Sequence, residues 1–187
     1  MKIKATPEAG VVVKVEPGES ELPQQITPSP LNLRKILVPV DFSECSRKAL
    51  HYAIALAKQS QAEILLLHVL EMPAVPVQAF ETAFMEGTPE ESAANELSEW
   101  QAHSGTTVPV KTEVCSGSAS REIVRTANEN NMDLIVIGSH GRTGLARLIL
   151  GSTAERVVRH APCPVLVVRE REHDFVALPE ASALSKA

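Results

Sequence analysis

The stretch of the sequence with the clearest capacity for chemistry is glycine-rich and covers residues 138–144. It comes directly after an apolar run at residues 134–137, where a strand should end, and Gly151-Ser152-Thr153 then opens a helix-like pattern. Glycine lets backbone amides come close to a bound anion, and a helix N-terminus favours negative charge. The spacing therefore predicts a phosphate-binding loop.

The standard phosphate-binding fingerprints are missing from the sequence. No segment matches GxxxxGK[ST], whose lysine reaches the outer phosphates, and no GxGxxG follows a predicted strand. What remains is Gly138-x2-Gly141-x9-Gly151-Ser152. On this segment alone two interpretations stay open: a phosphate loop, or glycines that serve only turns with Ser152 as a helix cap.

Composition narrows the class of protein. The 187 residues suffice for one core of ordinary size, and a net charge of −5 provides no basic field for nucleic acid or an anionic membrane. No apolar run approaches the ~20 residues of a membrane span, and no secretory signal is recognised. Cys45, Cys115 and Cys163 are too far apart for a CxxC pair. We therefore expect a cytoplasmic protein without nucleic-acid or membrane partners.

The phosphate loop must be positioned by the elements around it, and the hydrophobic pattern predicts strands that alternate with helices. Apolar runs predict strands at residues 35–40, 63–70, 108–115, 133–137 and 164–168. Helical spacing predicts helices at residues 49–57, 90–103, 118–127 and 152–160, the last with a capping box of Ser152 and Glu155.

This alternation predicts an α/β fold with a doubly wound, five-stranded parallel sheet, helices on both faces and a Rossmann-like arrangement. We expect residues 63–70 to be central in the sheet and residues 164–168 to lie at an edge. The carboxyl ends of parallel strands meet at one edge of such a sheet, where ligands bind. Residues 39–41, 68–69, 116–118 and 137–141 should therefore converge there.

The two ends of the chain have a different character. Residues 1–33 mix prolines and glutamates without aromatic residues, which predicts a flexible or weakly structured N-terminal extension. Residues 11–15 alternatively suit an edge strand. We predict one domain over residues 34–172 and a C-terminal tail over residues 173–187.

Four segments, taken in order, resemble the universal stress protein family: residues 35–43, 67–69, 138–141 with 151–152, and 162–168. The resemblance covers residues 34–171, and the G-x2-G-x9-G-[ST] spacing is typical of the nucleotide-binding branch of that family. It implies an adenine-nucleotide alpha-hydrolase-like fold that binds ATP, AMP or another adenine nucleotide. Mg²⁺ would be held mainly through the phosphates, because it keeps most of its waters.

The resemblance also implies roles for individual residues. Asp41 would hydrogen-bond the ribose hydroxyls, which suits a carboxylate that accepts from two donors. The other implied positions are Pro39 and Val40 at the base and sugar, Val69 at the adenine, Ile137 as an apolar wall, Gly117 near the ligand and, around the phosphates, Gly138, Ser139, His140, Gly141, Arg142, Gly151, Ser152 and Thr153.

Simpler roles are open for several of these residues. Asp41 also suits the N-cap of the first helix, His140 a solvated loop histidine and Arg142 a partner of a surface carboxylate. We expect His68 to be a hydrogen-bonded core histidine and Cys163 to be buried and inert.

The sequence lacks a complete set of groups for ATP hydrolysis. That reaction needs a positioned water and charge stabilisation by a metal with lysine or arginine. The glycine loop has no lysine, Asp133 begins its strand at the wrong end of the sheet, and residues 140–143 do not supply the HxGH signature of related nucleotidyl transferases. Catalytic and protein metal-ligating residues are therefore not assigned.

We predict an ATP-binding stress-response and signalling module with slow hydrolysis or none. The apolar run from Val165 to Val168 favours a homodimer through an edge strand, as the resemblance also implies, and a signalling partner would read the bound state. Two alternatives stay open: a slow ATPase or nucleotidyl-transfer enzyme using His140, and a nucleotide-free dimeric interaction protein.

Overall fold

A computed structural model describes residues 2–5, 11–14, 32–71, 88–141 and 150–170. The chain forms two compact units, Met1–Leu31 and Asn32–Ala187. In the first unit, β1 (Lys2–Ala5) pairs antiparallel with β2 (Val11–Lys14) in a two-stranded sheet of its own. Residues 11–14 therefore form a strand, and its described partner is β1. The predicted tail at residues 173–187 lies outside the described residues.

The second unit is built on a five-stranded parallel sheet. Its described strands are β3 (Lys35–Pro39), β4 (Glu63–Leu70), β5 (Val110–Ser116), β6 (Leu134–Gly138) and β7 (Val165–Val168). Its described helices are α1 (Glu44–Ser60), α2 (Pro89–His103), α3 (Ala119–Glu129) and α4 (Ser152–His160). The predicted doubly wound α/β fold is confirmed.

The strand order is β5-β4-β3-β6-β7. The chain winds outward from β3 through β4 to β5, then returns to the other side of β3 with β6. The switch point in strand order therefore lies between β3 and β6, where their carboxyl ends leave a crevice. The strand predicted as central, β4, is an interior strand beside the middle strand β3, and the predicted edge position of β7 is confirmed.

Helices cover both faces of the sheet, which explains the near-continuous apolar strands. On one face, α1 and α2 pack on alternate strand residues such as Ile36 and Val38, with Leu97 and Trp100 of α2 in the same cluster. On the other face, α3 and α4 pack against a second cluster that contains Leu37. Alternate residues of one strand thus serve opposite cores.

The predicted capping box at the start of α4 is wrong. Gly151 is the N-cap residue, with φ −70° and ψ 155°, and it provides no side-chain cap. Because Ser152 already lies inside the helix, it cannot exchange hydrogen bonds with Glu155 in the capping-box register. Glu155 instead pairs with Arg159 at 2.9 Å. The first amides of α4 consequently receive no capping bond from the N-cap side chain.

Candidate functional site

A cavity of about 620 Å³ opens at the carboxyl ends of the strands, next to the switch point. This volume lies within the range of small-molecule sites. Most of the residues that the sequence singled out line the cavity: Pro39, Val40, Asp41, Val69, Ile137, Gly138, Ser139, His140, Gly141, Gly151, Ser152 and Thr153. The fold therefore brings three distant parts of the chain to one place.

Two of the selected residues stand apart from this set. Gly117 does not line the cavity; its φ of 150° belongs to the turn between β5 and α3, where its amide donates to the carbonyl of Leu70 at 3.0 Å. A Cβ at this position would lie 3.0 Å from Cγ of Glu122. Arg142 lies outside the described residues.

Asp41 is oriented by the start of α1 but is not its N-cap. The N-cap is Ser43, whose hydroxyl accepts from the amide of Ser46 at 3.2 Å. The amide and the hydroxyl of Ser43 both donate to Oδ1 of Asp41, at 3.1 and 2.6 Å. A Cβ built on Gly141 would lie only 2.5 Å from Oδ2 of Asp41, so this carboxylate reaches across the crevice to the loop after β6.

Ser139 ties the glycine loop to its neighbours and is almost fully buried. Its amide donates to the carbonyl of Val168 at 2.7 Å, and its own carbonyl accepts from the amide of Gly151 at 2.8 Å. Its hydroxyl shares a 2.9 Å hydrogen bond with Nδ1 of His140. The loop is therefore fixed to the end of β7 and to the start of α4 at once.

The glycines of this loop allow close packing of backbone. A Cβ on Gly151 would lie 3.0 Å from the carbonyl oxygen of Ser139, and one on Gly138 would lie 3.0 Å from Sγ of Cys45. The start of α4 can therefore approach the end of β6 and present its amides to the cavity. The positive end of the helix dipole makes this end of the cavity suitable for an anion.

The opposite end of the cavity is mainly apolar and contains one buried histidine. His68 is 8% exposed and its Nδ1 lies 2.8 Å from the carbonyl oxygen of Val40. Because a carbonyl only accepts, Nδ1 carries the hydrogen. The expected hydrogen-bonded core histidine is confirmed, and the structure adds that His68 also lines the cavity with Val69 and Ile137.

Glu71 is a cavity residue that sequence reasoning missed. Its Oε1 accepts from the amide of Ala119 at 2.9 Å, so it caps α3, whose N-cap Ser118 makes no side-chain bond. The signal in the sequence was weak, because a glutamate after a strand is ordinary and its partner lies 48 residues away. Glu71 and Asp41 give the cavity two carboxylates.

The three cysteines are free thiols at separate places. Cys45 is buried, whereas Cys115 and Cys163 are half-buried, so the expectation of a buried Cys163 is wrong in degree. Partial burial raises the pKa of the Cys163 thiol, and the charge of Asp133 adds to this. Partial burial also raises the pKa of the Cys115 thiol, and the charges of Glu122 and Glu113 add to this. Both groups are therefore poor nucleophiles at neutral pH.

The described residues contain no cluster of three or more histidine, cysteine, aspartate or glutamate side chains arranged to hold a metal ion. Within the same ranges, none of the helices combines the length and the apolar character that crossing a membrane requires.

Comparison with known proteins gives one consistent family. Residues 32–169 match the profile of the universal stress protein family. Universal stress protein MJ0531 of Methanocaldococcus jannaschii is 37% identical over 142 residues, which cover 73% of this chain and 82% of the relative. The solved structure of MJ0577, a protein of the same organism, matches with a TM-score of 0.67 at 32% identity, covering 76% of this chain and 100% of the other. A universal stress protein solved in complex with cAMP shares the fold at 24% identity, with a TM-score of 0.54 and 74% and 98% of the two chains covered.

Proposed function

Since this chain belongs to the universal stress protein family, we propose that its cavity binds an adenine nucleotide, ATP or AMP, in a stress-response and signalling module. One observation carries the proposal: Asp41 and the start of α4, which has no side-chain cap, face the same cavity. A hydroxyl acceptor and an anion site thus lie at one crevice. That pairing suits the ribose and the phosphates of a nucleotide.

The base occupies the apolar end of the cavity in this proposal. Val40, Val69 and Ile137 provide flat apolar contact, and the backbone at the end of β4 offers amide and carbonyl groups to the edge of an adenine.

The phosphates lie at the other end, beside Gly138, Gly141 and the first amides of α4. Mg²⁺ accompanies them in this proposal and is held by phosphate oxygens and water, because Mg²⁺ needs few protein ligands when phosphates are present. Asp41 is the carboxylate that approaches Gly141 in this half, and Arg142 is proposed as a further phosphate contact.

The module is proposed to bind nucleotide with slow hydrolysis or none. Among the described cavity residues there is no lysine or arginine to stabilise charge on a transferring phosphoryl group. His140, the residue on which a catalytic alternative depends, already shares a hydrogen bond with Ser139. A steady-state turnover of about 1 s⁻¹ or faster would contradict this, because that rate is typical of true enzymes.

A homodimer that pairs through β7 is proposed as the form that a signalling partner recognises. The two edge strands differ in kind: β5 carries Lys111 and Glu113, whereas β7 consists of apolar residues only, all of them partly exposed except the buried Val168. Charges on an edge strand oppose pairing with another copy, and an apolar edge favours it.

The free thiols support the cytoplasmic setting that we propose, because reducing compartments keep thiols unpaired.

The test is calorimetry of the purified full chain with ATP, AMP and GTP, together with mass spectrometry of any nucleotide that co-purifies. We expect saturable binding of ATP or AMP and weaker binding of GTP. If neither ATP nor AMP releases heat or shifts the melting temperature at millimolar concentration, the nucleotide-free interaction protein becomes the better description.

A further inference from the structure

Phe42 adopts a backbone conformation that is rare for a bulky residue. Its φ is 65°, in the left-handed region, where an aromatic side chain is unfavourable. The other described non-glycine residues with positive φ, Gln61 and Asn131, follow the ends of α1 and α3, where such a conformation is common. Phe42 instead lies directly after Asp41, which lines the cavity.

Two rings from other elements hold Phe42 in place. Its ring centroid lies 4.5 Å from that of His68 on β4, and 5.5 Å from that of Trp100 on α2 in an edge-on arrangement of 79°. The guanidinium carbon of Arg47 lies 4.6 Å from the centroid of the Trp100 ring. We call these three rings, Phe42, His68 and Trp100, the aromatic clamp. Its contacts offset the cost of the backbone conformation.

The conformation of Phe42 determines where the carboxylate of Asp41 lies. Oδ1 of Asp41 accepts from the amide of Ser43, two residues further on, which closes a tight turn around Phe42. Such a turn has few conformations that satisfy this bond and also start a helix at Glu44. A relaxed Phe42 would open the turn and swing Asp41 away from Gly141.

We propose that Phe42 is a positioning residue that, through the aromatic clamp, holds Asp41 toward the ribose and so sets the preference for ribonucleotides over 2′-deoxyribonucleotides. This inference rests on the proposed nucleotide binding. It assigns a function to the strained residue, to the lone tryptophan of the chain and to the packing of α2 against Phe42.

The test compares the affinities of ATP, 2′-deoxy-ATP and tripolyphosphate by calorimetry for the wild-type chain, Phe42→Leu, Phe42→Asn and Phe42→Tyr. Leucine removes the ring and is unfavourable in the left-handed region, asparagine removes the ring but tolerates that region, and tyrosine keeps the ring. We expect the wild type to prefer ATP over 2′-deoxy-ATP about tenfold, as for a hydrogen bond to a charged group. Phe42→Leu should lose this preference and keep its affinity for tripolyphosphate. Phe42→Asn should keep more of the preference than Phe42→Leu, because asparagine holds the turn without the ring, and Phe42→Tyr should behave as the wild type.

Two controls separate positioning from general loss of stability. Thr88→Ala removes the capping box of α2 without touching a ring, and should lower the melting temperature while leaving the ATP preference intact. Phe42→Leu keeps apolar volume without ring stacking, and Phe42→Ala, which also removes the ring, replaces it if Phe42→Leu does not fold. Fluorescence of Trp100 reports in each variant whether the clamp is altered.

The outcomes are distinct. A wild type that prefers ATP, with Phe42→Leu retaining the same preference, overturns the inference and leaves the proposed function intact. A wild type that binds both nucleotides equally overturns the ribose role of Asp41 and the inference with it. No binding of any adenine nucleotide by the wild type overturns the proposed function as well.

Discussion

Asp41 connects two loops that come from opposite sides of the switch point. One carboxylate oxygen accepts hydrogen bonds from the amide and the hydroxyl of Ser43, and the other points toward Gly141. Local sequence left open whether Asp41 is a helix cap or a ligand residue. The structure assigns the cap to Ser43 and thereby turns Asp41 toward the cavity.

Asp41→Asn tests the carboxylate with little change of shape. The amide oxygen can still accept from Ser43, but the side chain loses its charge and one acceptor. We expect affinity for ATP to fall about tenfold, in line with a lost hydrogen bond to a charged group, while affinity for tripolyphosphate stays the same. Glu44→Gln is the matched control, because Glu44 is exposed, pairs with Arg47 and does not line the cavity. Calorimetry measures the ATP affinity of both variants, and equal losses of affinity would contradict the assignment of Asp41 to the ribose.

Gly141→Ala tests the contact from the other side. The added methyl would lie 2.5 Å from Oδ2 of Asp41, which is too close, so the carboxylate must move. We expect ATP affinity to fall and the preference over 2′-deoxy-ATP to shrink. Gly105→Ala serves as a control: nothing lies within 4 Å of its added Cβ, but its φ of 54° strains an alanine. That variant should melt at a lower temperature and bind ATP as the wild type does.

The helices and strands were predictable from the sequence to different degrees. The strands follow from apolar runs such as residues 63–70, because a sheet covered on both faces requires apolar residues on both sides. The caps do not follow as easily. Ser152 and Glu155 have the capping-box spacing, yet the helix begins one residue too early for them, because the contact between Gly151 and Ser139 sets its start.

The start of α4 is the element on which phosphate binding depends. Gly151→Ala places a Cβ 3.0 Å from the carbonyl oxygen of Ser139, so α4 must move away from the loop after β6. We expect affinity for tripolyphosphate and ATP to fall together, while adenosine binds as before. Ser152→Ala is the comparison, because it keeps the amide and removes only the hydroxyl. A larger loss in Ser152→Ala than in Gly151→Ala would assign the phosphate contact to the hydroxyl and contradict the role of the amides.

The start of α3 differs from that of α4, because the carboxylate of Glu71 already accepts a hydrogen bond from its first amide. Glu71→Gln removes a negative charge from the cavity and weakens the capping of α3, at a cost of about 1 kcal/mol or less in unfolding free energy. We expect ATP to bind more tightly, and the gain to shrink as salt is added. Glu90→Gln is the control, since Glu90 lies near Ser116 at the same end of β5 but does not line the cavity. Calorimetry at two ionic strengths checks this, and weaker ATP binding in Glu71→Gln would contradict it.

At the scale of the whole second unit, the topology explains why residues far apart in sequence form one site. β3 and β6 are neighbours in the sheet although they are far apart in sequence. The residues that follow them show the same: Cys45 of α1 and Ser139 after β6 are 94 residues apart, and Sγ of the one lies 3.8 Å from Oγ of the other. A parallel sheet with a switch point brings their carboxyl ends together, and this much follows from the predicted alternation of strands and helices. Glu71 and the aromatic clamp do not follow from it, because their partners are set by packing between α2, α3 and β4.

The two edges of the sheet lead to a prediction about assembly. Val167→Lys introduces a charge into the apolar edge strand β7, and its aliphatic stem can cover the partly exposed surface that valine covered. In a symmetric dimer through β7 the two lysines would repel each other, so we expect a dimer at tens of micromolar for the wild type and a monomer for the variant. Thr112→Lys, on the charged edge β5, is the matched control and should remain dimeric. Light scattering gives the masses and thermal melting checks that both variants fold. If the wild type is monomeric, or if Thr112→Lys dissociates and Val167→Lys does not, pairing through β7 is wrong.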